Sequence, residues 1–378
     1  MINLEQVHKE FKKWLYIKDT GRIDAMLATA LATTQTGEPL WLLNIGTSGY
    51  AKSEIARTLI PWERSYHLTN LTTNALCSGM SNVEDLAPKL KNKLILIPES
   101  AQLMAMHPDQ KRMLWAQLRT LYDGDMGKVT GIGVEKEYHD LYCGLYMCGT
   151  QIIDRQILIH QDLGTRELIY RSTVEDQEIN PILNKAITNR HKKAQLREKL
   201  SKKVVAFMEK AKIKDIEPDK PTTEDLKKKA RWLAKMRTTI ATDNVTGETL
   251  EQPYPELPAR LVQQFTRYYT ILMSIGCSHE ETMQIINHIV ESSSIPMRTM
   301  VYRVVGDNGG EITTRKIADT LRVGHKTANR ECFALWGLKF FDKRTEKQEH
   351  RFVTYWHVPD PQQKIEAPQR GEAIDDDY

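Results

Sequence analysis

Nowhere in the 378-residue chain is there a run of about 18 uncharged apolar residues, the length that a membrane-crossing helix needs. The first residues, MINLEQVHKEFKKWL, carry charges throughout and have no apolar centre, so a secretory signal is not expected. Cysteine is scarce. Cys77, Cys143, Cys148, Cys277 and Cys332 are odd in number and never spaced as CxxC. That argues against a disulfide framework or a zinc finger and predicts reduced thiols in a cytoplasmic setting. The 11 histidines show no metal-ligand spacing, and no internal repeat is evident. What the chain does have is material for a core: 40% hydrophobic residues against 27% charged exclude a wholly disordered polymer. At roughly 150 residues per domain, the length predicts two to three domains.

The net charge of +4 hides an uneven distribution. Residues 190–237 hold 17 Lys/Arg against 7 Asp/Glu, a local +10, which leaves −6 elsewhere (4 − 10). Such a basic segment suits either a polyanion partner or a solvated helical face. Trp232 within it is expected to pack in a core rather than stack on bases. The acidic end, Asp375 to Asp377, with Pro359, Pro361 and Pro368 before it, predicts a disordered tail over 359–378.

Apolar periodicity predicts helices over 1–34, with Leu4, Val7, Phe11 and Leu15, then Met26, Leu27 and Leu31, at helical spacing. Short apolar runs then alternate with helical stretches: WLLNI (41–45), KLILI (93–97) and LYMCG (145–149). Each ends at a Gly-bearing or polar turn. Three strands separated by helices predict a parallel sheet in an α/β, three-layer αβα core over 35–175. Ligands on such sheets bind at the carboxyl ends of the strands. A helical region with the basic segment (176–298) and a compact helix–turn–helix unit with a β-hairpin (299–358) complete the expected organisation.

The turn after WLLNI reads Gly46-Thr47-Ser48-Gly49-Tyr50-Ala51-Lys52-Ser53, followed by Glu54 and a helical pattern. It matches the phosphate-loop pattern GxxxxGK[ST] with Ala51 in place of the second glycine. In that chemistry backbone N–H groups cradle phosphate oxygens, Lys52 reaches the β/γ-phosphates of ATP, and the Ser53 hydroxyl ligates Mg²⁺. Alanine fits the glycine position if φ there is negative. An acidic partner is expected one strand over, and KLILIPE supplies Glu99, to hold the Mg²⁺-bound water or polarise the attacking water. Pro98 occupies the place of a second acid, so one carboxylate serves both tasks or hydrolysis is weak. Thr150 follows the third strand, where a polar side chain meets the γ-phosphate or the water.

These residues, in the order phosphate loop, acidic strand, polar strand end, arginine segment (LGTRELIYR), helical region and helix–turn–helix, resemble the AAA+ ATPases. The resemblance is closest to the phage- and plasmid-borne branch, similar to replicative helicases of the minichromosome-maintenance type. It runs over about 30–180 in WLLNIGTSGYAKSEIARTL, HLTNLTTNALCSG, DLAPKLKNKLILIPE, LRTLYDGDMGKVTG and CGLYMCGTQIID, and through the helical and terminal units to about 358. It implies Thr150 as first sensor, Arg166 as arginine finger and Arg260 as second sensor, with Arg155 and Arg171 as rivals for the arginine roles. It also implies a homo-oligomeric ring around DNA.

In related helicases an insertion equivalent to YDGDMGKVTGIGVEKEYHDLYCG forms a hairpin that projects into the pore. Here Lys128 and Lys136 would grip phosphates of single-stranded DNA; the alternative is a Gly-rich surface loop. The 299–358 unit resembles a winged helix, whose second helix usually enters the major groove of duplex DNA. Its candidates are His325, Lys326, Asn329 and Arg330, with Lys343, Arg344 and Lys347 in the turn of the wing; protein contact is the alternative use. Two functions follow: an ATP-driven helicase or translocase, or a nucleotide-gated DNA-binding, regulatory or helicase-loading module with weak hydrolysis.

Overall fold

The three apolar runs are the inner strands of a five-stranded parallel sheet in a computed structural model, which describes residues 2–131, 133–154, 165–243, 246, 248–348 and 351–359. The strands are β1 (Trp41–Gly46), β2 (Ser65–His67), β3 (Leu94–Ile97), β6 (Gly144–Gly149) and β7 (Leu168–Ser172). They lie in the order β2-β3-β6-β1-β7, and every neighbouring pair runs parallel. β3 is therefore not beside β1. The strand that ends at Thr150 is inserted between them, which corrects the expectation that Glu99 stands one strand over from the loop.

Alternation along the strands builds two cores. Leu42, Leu94, Leu96, Tyr146, Leu168 and Tyr170 face one side. Trp41, Leu43, Ile45, Ile95, Ile97, Leu145, Met147 and Ile169 face the other. Burial on both faces is why these strands read as continuous apolar runs. On the first face pack α1 (Leu4–Trp14), α2 (Gly21–Leu31) and α3 (Lys52–Arg57). α4 (Ala101–Met104) and α5 (Pro108–Tyr122) cover the second. The sheet is thus the middle of three αβα layers.

α1 begins at a capping box, in which the Asn3 side chain accepts from the Gln6 N–H and the Gln6 side chain accepts from the Asn3 N–H. Leu4, Val7, Phe11 and Trp14 form its buried stripe. α2 is buried along its whole length from Arg22 to Leu31, the two charged residues Arg22 and Asp24 included. Beyond β7 come α6 (Asp176–Asn189), α7 (Lys193–Lys210), α8 (Lys220–Met236), α9 (Ala259–Ile275) and α10 (His279–Ser292). Buried residues of α7 to α10 join the same core as α1 and α2, so the N-terminal and central helices share one body with the sheet. Trp232 is half-buried against that core. The hairpin β4 (Met126–Val129) and β5 (Glu135–Tyr138) pairs antiparallel, with Lys128 opposite Lys136.

The chain divides into two compact units: residues up to 234 with 257–293, and residues 235–256 with those from 294 onward. In the second, α11 (Pro296–Asn308), α12 (Thr314–Leu321) and α13 (His325–Gly337) pack against a three-stranded antiparallel sheet. Its strands are β8 (Ile312–Thr313), β9 (Asp342–Gln348) and β10 (Arg351–His357), in the order β8-β10-β9. Buried Arg298 ties this unit together. Its Nε donates to Glu331 at 3.2 Å and its Nη1 to the carbonyls of Met236 and Thr238 at 3.2 and 2.6 Å. Lys343, Arg344 and Lys347 lie within β9 rather than in a turn, because pairing with β10 runs from Asp342 to Gln348. Among the described residues, no helix is long and apolar enough to cross a membrane. Arg155 and the tail beyond Pro359 lie outside the described residues.

Candidate functional site

Three chain turns meet at the C-terminal edge of the sheet, and register sets their spacing. Ile45 pairs with Gly149 on β6, and Met147 of β6 pairs with Ile97 on β3. The residues that follow, Gly46, Thr150 and Glu99, therefore emerge at nearly the same height on three adjacent strands. At about 4.8 Å per strand, the backbone of Glu99 stands roughly 10 Å from that of Gly46, with Thr150 between them. Chain crossing from β6 to β7 passes β1, so its end is a switch point of the kind where α/β sheets take ligands.

The loop after β1 is shaped by close packing and by positive φ. A Cβ on Gly46 would lie 2.3 Å from the carbonyl oxygen of Ser172 on β7, so only glycine fits. Gly49 has φ of +84°. Ala51 has φ of +58° and ψ of +11°, the left-handed region. The condition under which alanine would fit without cost, a negative φ, is thus not met, and the alanine carries a strain of roughly 1–2 kcal/mol that glycine would not. Thr47, Ser48 and Gly49 are exposed, while Tyr50 and Lys52 are buried.

Lys52 turns back into the loop, where its Nζ donates to the carbonyls of Gly46 at 2.8 Å and Thr47 at 2.6 Å. Burial pushes its pKa down, and nearby Glu99 opposes that. Ser53 is half-buried, and Glu99 and Thr150 are exposed. Gly149 lets the turns close up: a Cβ there would meet Ser100 Oγ at 2.5 Å. Glu54 faces away, onto α7, where Arg197 and Lys193 bind it. Burial works to raise the Glu54 carboxyl, yet those two cations hold it below its ordinary value.

A buried polar chain lies under the loop. Ser172 Oγ donates to Asn44 Oδ1 at 2.8 Å, and Asn44 Nδ2 donates to Tyr146 Oη at 2.8 Å. Cys148 Sγ reaches the carbonyl of Lys52 at 3.6 Å. Burial raises both the Tyr146 hydroxyl and the Cys148 thiol, the latter to about 12, so the thiol is inert at neutral pH. Arg22 of α2 donates from Nη1 to the carbonyl of Tyr50 at 3.2 Å, with its guanidinium 4.2 Å above the Tyr50 ring. Sequence reasoning missed Asn44 and Arg22. The signal available was a polar residue inside WLLNI and a charged one inside the apolar stretch GRIDAMLATAL.

The arginines distribute over both edges of the sheet. Arg171, at the C-terminal end of β7, forms a two-pronged ion pair with Asp154 at 3.0 and 2.7 Å, and its Nε donates to the Ser292 carbonyl. Arg166 precedes β7 and bonds Asp123 at 2.8 Å. Arg260 lies 3.4 Å from Glu38, just ahead of β1. Both stand at the N-terminal edge, roughly 17 Å from the loop across five residues of strand. Arg260 is therefore not brought to the loop of its own chain, which corrects its assignment as a sensor there.

The basic candidates are unevenly free. Lys136 is half-buried and fully engaged: its Nζ donates to Asp85 at 2.9 Å, Val83 O at 3.0 Å and Ser78 Oγ at 3.2 Å. Lys128 bonds Asn74 at 2.9 Å and is half-exposed. In the second unit His325, Lys326 and Arg330 are exposed on α13, and Arg330 bonds Glu331. Asn329 donates to the Thr246 carbonyl. Arg344 pairs with Glu311 and Glu346, and Lys343 sits 3.9 Å over the Trp336 ring. In α7 and α8 much of the basic charge is likewise paired: Lys203 with Glu10, Lys227 with Glu224, Lys229 with Asp225. No protein-family model matches the chain, and no curated protein matches it in sequence.

Proposed function

We propose that the chain is an ATPase of the AAA+ type with a phosphate loop at Gly46–Ser53 and a winged helix at its C-terminal end, acting on DNA as a ring-forming helicase or translocase. The observation that carries this is the Lys52 ammonium held inside a strained, glycine-bearing loop at the end of β1, with Thr150 and Glu99 on the two next strand ends. The left-handed residues Gly49 and Ala51 turn loop amides into a concave, anion-binding arrangement. Lys52 exchanges its two carbonyl partners for phosphate oxygens.

The oxygen donors fit Mg²⁺. Ser53 offers a hydroxyl and Glu99 a carboxylate, and among the described residues no group of three or more His, Cys, Asp or Glu side chains forms a full metal cage. Mg²⁺ is commonly held by one or two protein oxygens together with the substrate's phosphates. When bound, it would neutralise phosphate charge. Glu99 accepts a proton from, or orients, the attacking water, and Thr150 fixes that water's position from the middle strand. Arg166, on the far edge, serves a neighbouring subunit's site in this reading. Lys128 and the exposed face of α13 with His325, Lys326 and Arg330 contact DNA phosphates and bases, whereas Lys136 anchors its hairpin.

The lone acid at Glu99, after Pro98, favours a second reading, a nucleotide-gated DNA-binding module that hydrolyses little. Steady-state ATP turnover with and without single-stranded DNA separates the two. DNA-stimulated turnover supports the motor; tight ATP and DNA binding with negligible turnover supports the module; absence of ATP binding refutes both.

A further inference from the structure

We propose that Arg22 is a positioning residue that sets the shape of the Gly46–Ser53 loop from behind, an inference that rests on the phosphate-loop reading of that segment. Arg22 is 1% exposed, and its Nε and Nη2 have no hydrogen-bond partner. Among the described residues no carboxylate pairs with it. A buried guanidinium with idle donors and no counter-charge is costly to keep. Its contacts show what offsets that cost. Nη1 binds the carbonyl oxygen of Tyr50, and the cation stacks on the ring of the same residue.

The Tyr50 carbonyl and the Ala51 N–H belong to one peptide plane, so fixing the carbonyl direction fixes one end of the Ala51 φ rotation. On the other side, the Ala51 carbonyl accepts from Ile55 N–H at 3.0 Å, which starts α3. Ala51 is thereby held at φ +58° from both ends. The strained amide is aimed by a side chain from α2, 28 residues earlier in the chain. Arg22 touches no reacting atom in this account. It acts through Tyr50 and Ala51.

The test is a double-mutant cycle for MgATP binding on the full chain, by titration calorimetry: Arg22→Met, Ala51→Gly and both together. Glycine takes the left-handed conformation unaided, so it removes the need for the Arg22 hold. Left-handed strain at alanine corresponds to roughly 5- to 30-fold in a binding constant. Arg22→Met is therefore expected to weaken MgATP about tenfold with Ala51 present and no more than about threefold with Gly at 51. Equal losses in both backgrounds, or no loss in either, overturn the proposal, because a residue that merely fills space would not couple to position 51. If Arg22→Met does not fold, Arg22→Lys replaces it in the cycle under the same criterion, since lysine keeps a cation for the Tyr50 ring while losing the fork. Lys52→Ala runs alongside. Binding retained in that variant overturns the phosphate-loop reading and this proposal with it. Binding lost there, with uncoupled Arg22 losses, overturns the proposal alone.

Discussion

Replacing Lys136 by alanine should cost the protein stability rather than DNA affinity, and the structure gives the size. The Asp85 carboxylate is fully enclosed, and the Lys136 side chain is only 12% exposed. Asp85 accepts from the Ser78 N–H at 2.7 Å, from Lys136 at 2.9 Å and from the Tyr138 hydroxyl at 2.9 Å. Removing one partner of a buried ion pair typically costs 3–5 kcal/mol, and the two remaining donors put this case at the low end, about 3 kcal/mol. Lys128→Ala loses one half-exposed contact and should change stability by less than about 0.5 kcal/mol. Urea unfolding followed by circular dichroism measures both. The acid limb gives an independent reading. Burial works against the Asp85 charge, but its three donors hold the carboxyl at about 2, below its ordinary 3.8. The unfolded chain then binds the extra proton first, so the contribution is complete above about pH 4 and fades as pH falls toward 2, a total of about 2 kcal/mol. Asp85→Asn should flatten that limb. A Lys136→Ala protein as stable as the parent would mean that Asp85 keeps its charge at no cost without this partner.

Three further outcomes are expected. Glu99→Gln should lower ATP turnover by roughly 10²-fold or more while ATP binding persists, read by single-turnover phosphate release; equal turnover would place the catalytic carboxylate elsewhere. Arg166→Ala should bind ATP normally and fail to turn it over, and mixing it with Lys52→Ala subunits should restore part of the activity; confirmed mixed rings without recovery would place Arg166 in a structural role with Asp123. DNA affinity should fall steeply with salt, by a log–log slope of about −0.7 per phosphate contact on single strands and about −0.9 on duplex, and Lys326→Ala should make the duplex slope shallower by about one contact. A salt-independent affinity in fluorescence anisotropy would remove nucleic acid as the partner.

Much of the sheet was legible because its inner strands are buried on both faces and so appear as unbroken apolar runs. β2 was not, since Ser65, Tyr66 and His67 are only half-buried and form a three-residue edge. β7 was read for its arginines, and Arg171 disguised a strand whose other residues are buried. The interposed position of β6 is a non-local pairing that no local pattern encodes. Among the site residues, the loop and Glu99 stood out because motif and strand end coincide in sequence. The role of Lys136 was hidden because its partner Asp85 lies 51 residues away. Arg260 failed as a sensor for the same reason: Glu38 and Tyr122, which hold it, are far earlier in the chain. Strain at Ala51 follows from the packing around Gly46, Tyr50 and Arg22, and alanine itself gives no sign of positive φ.

Equilibrium binding of MgATP to the parent and to Lys52→Ala tests whether the loop after β1 holds the phosphates of ATP through Lys52. Lys52 Nζ bridges two loop carbonyls at 2.8 and 2.6 Å, and its ammonium is the charge proposed to meet the β/γ-phosphates. Calorimetry should show saturable binding to the parent and none to the variant, with unchanged circular dichroism. Equal affinity in the two proteins would mean that Lys52 does not hold the phosphates.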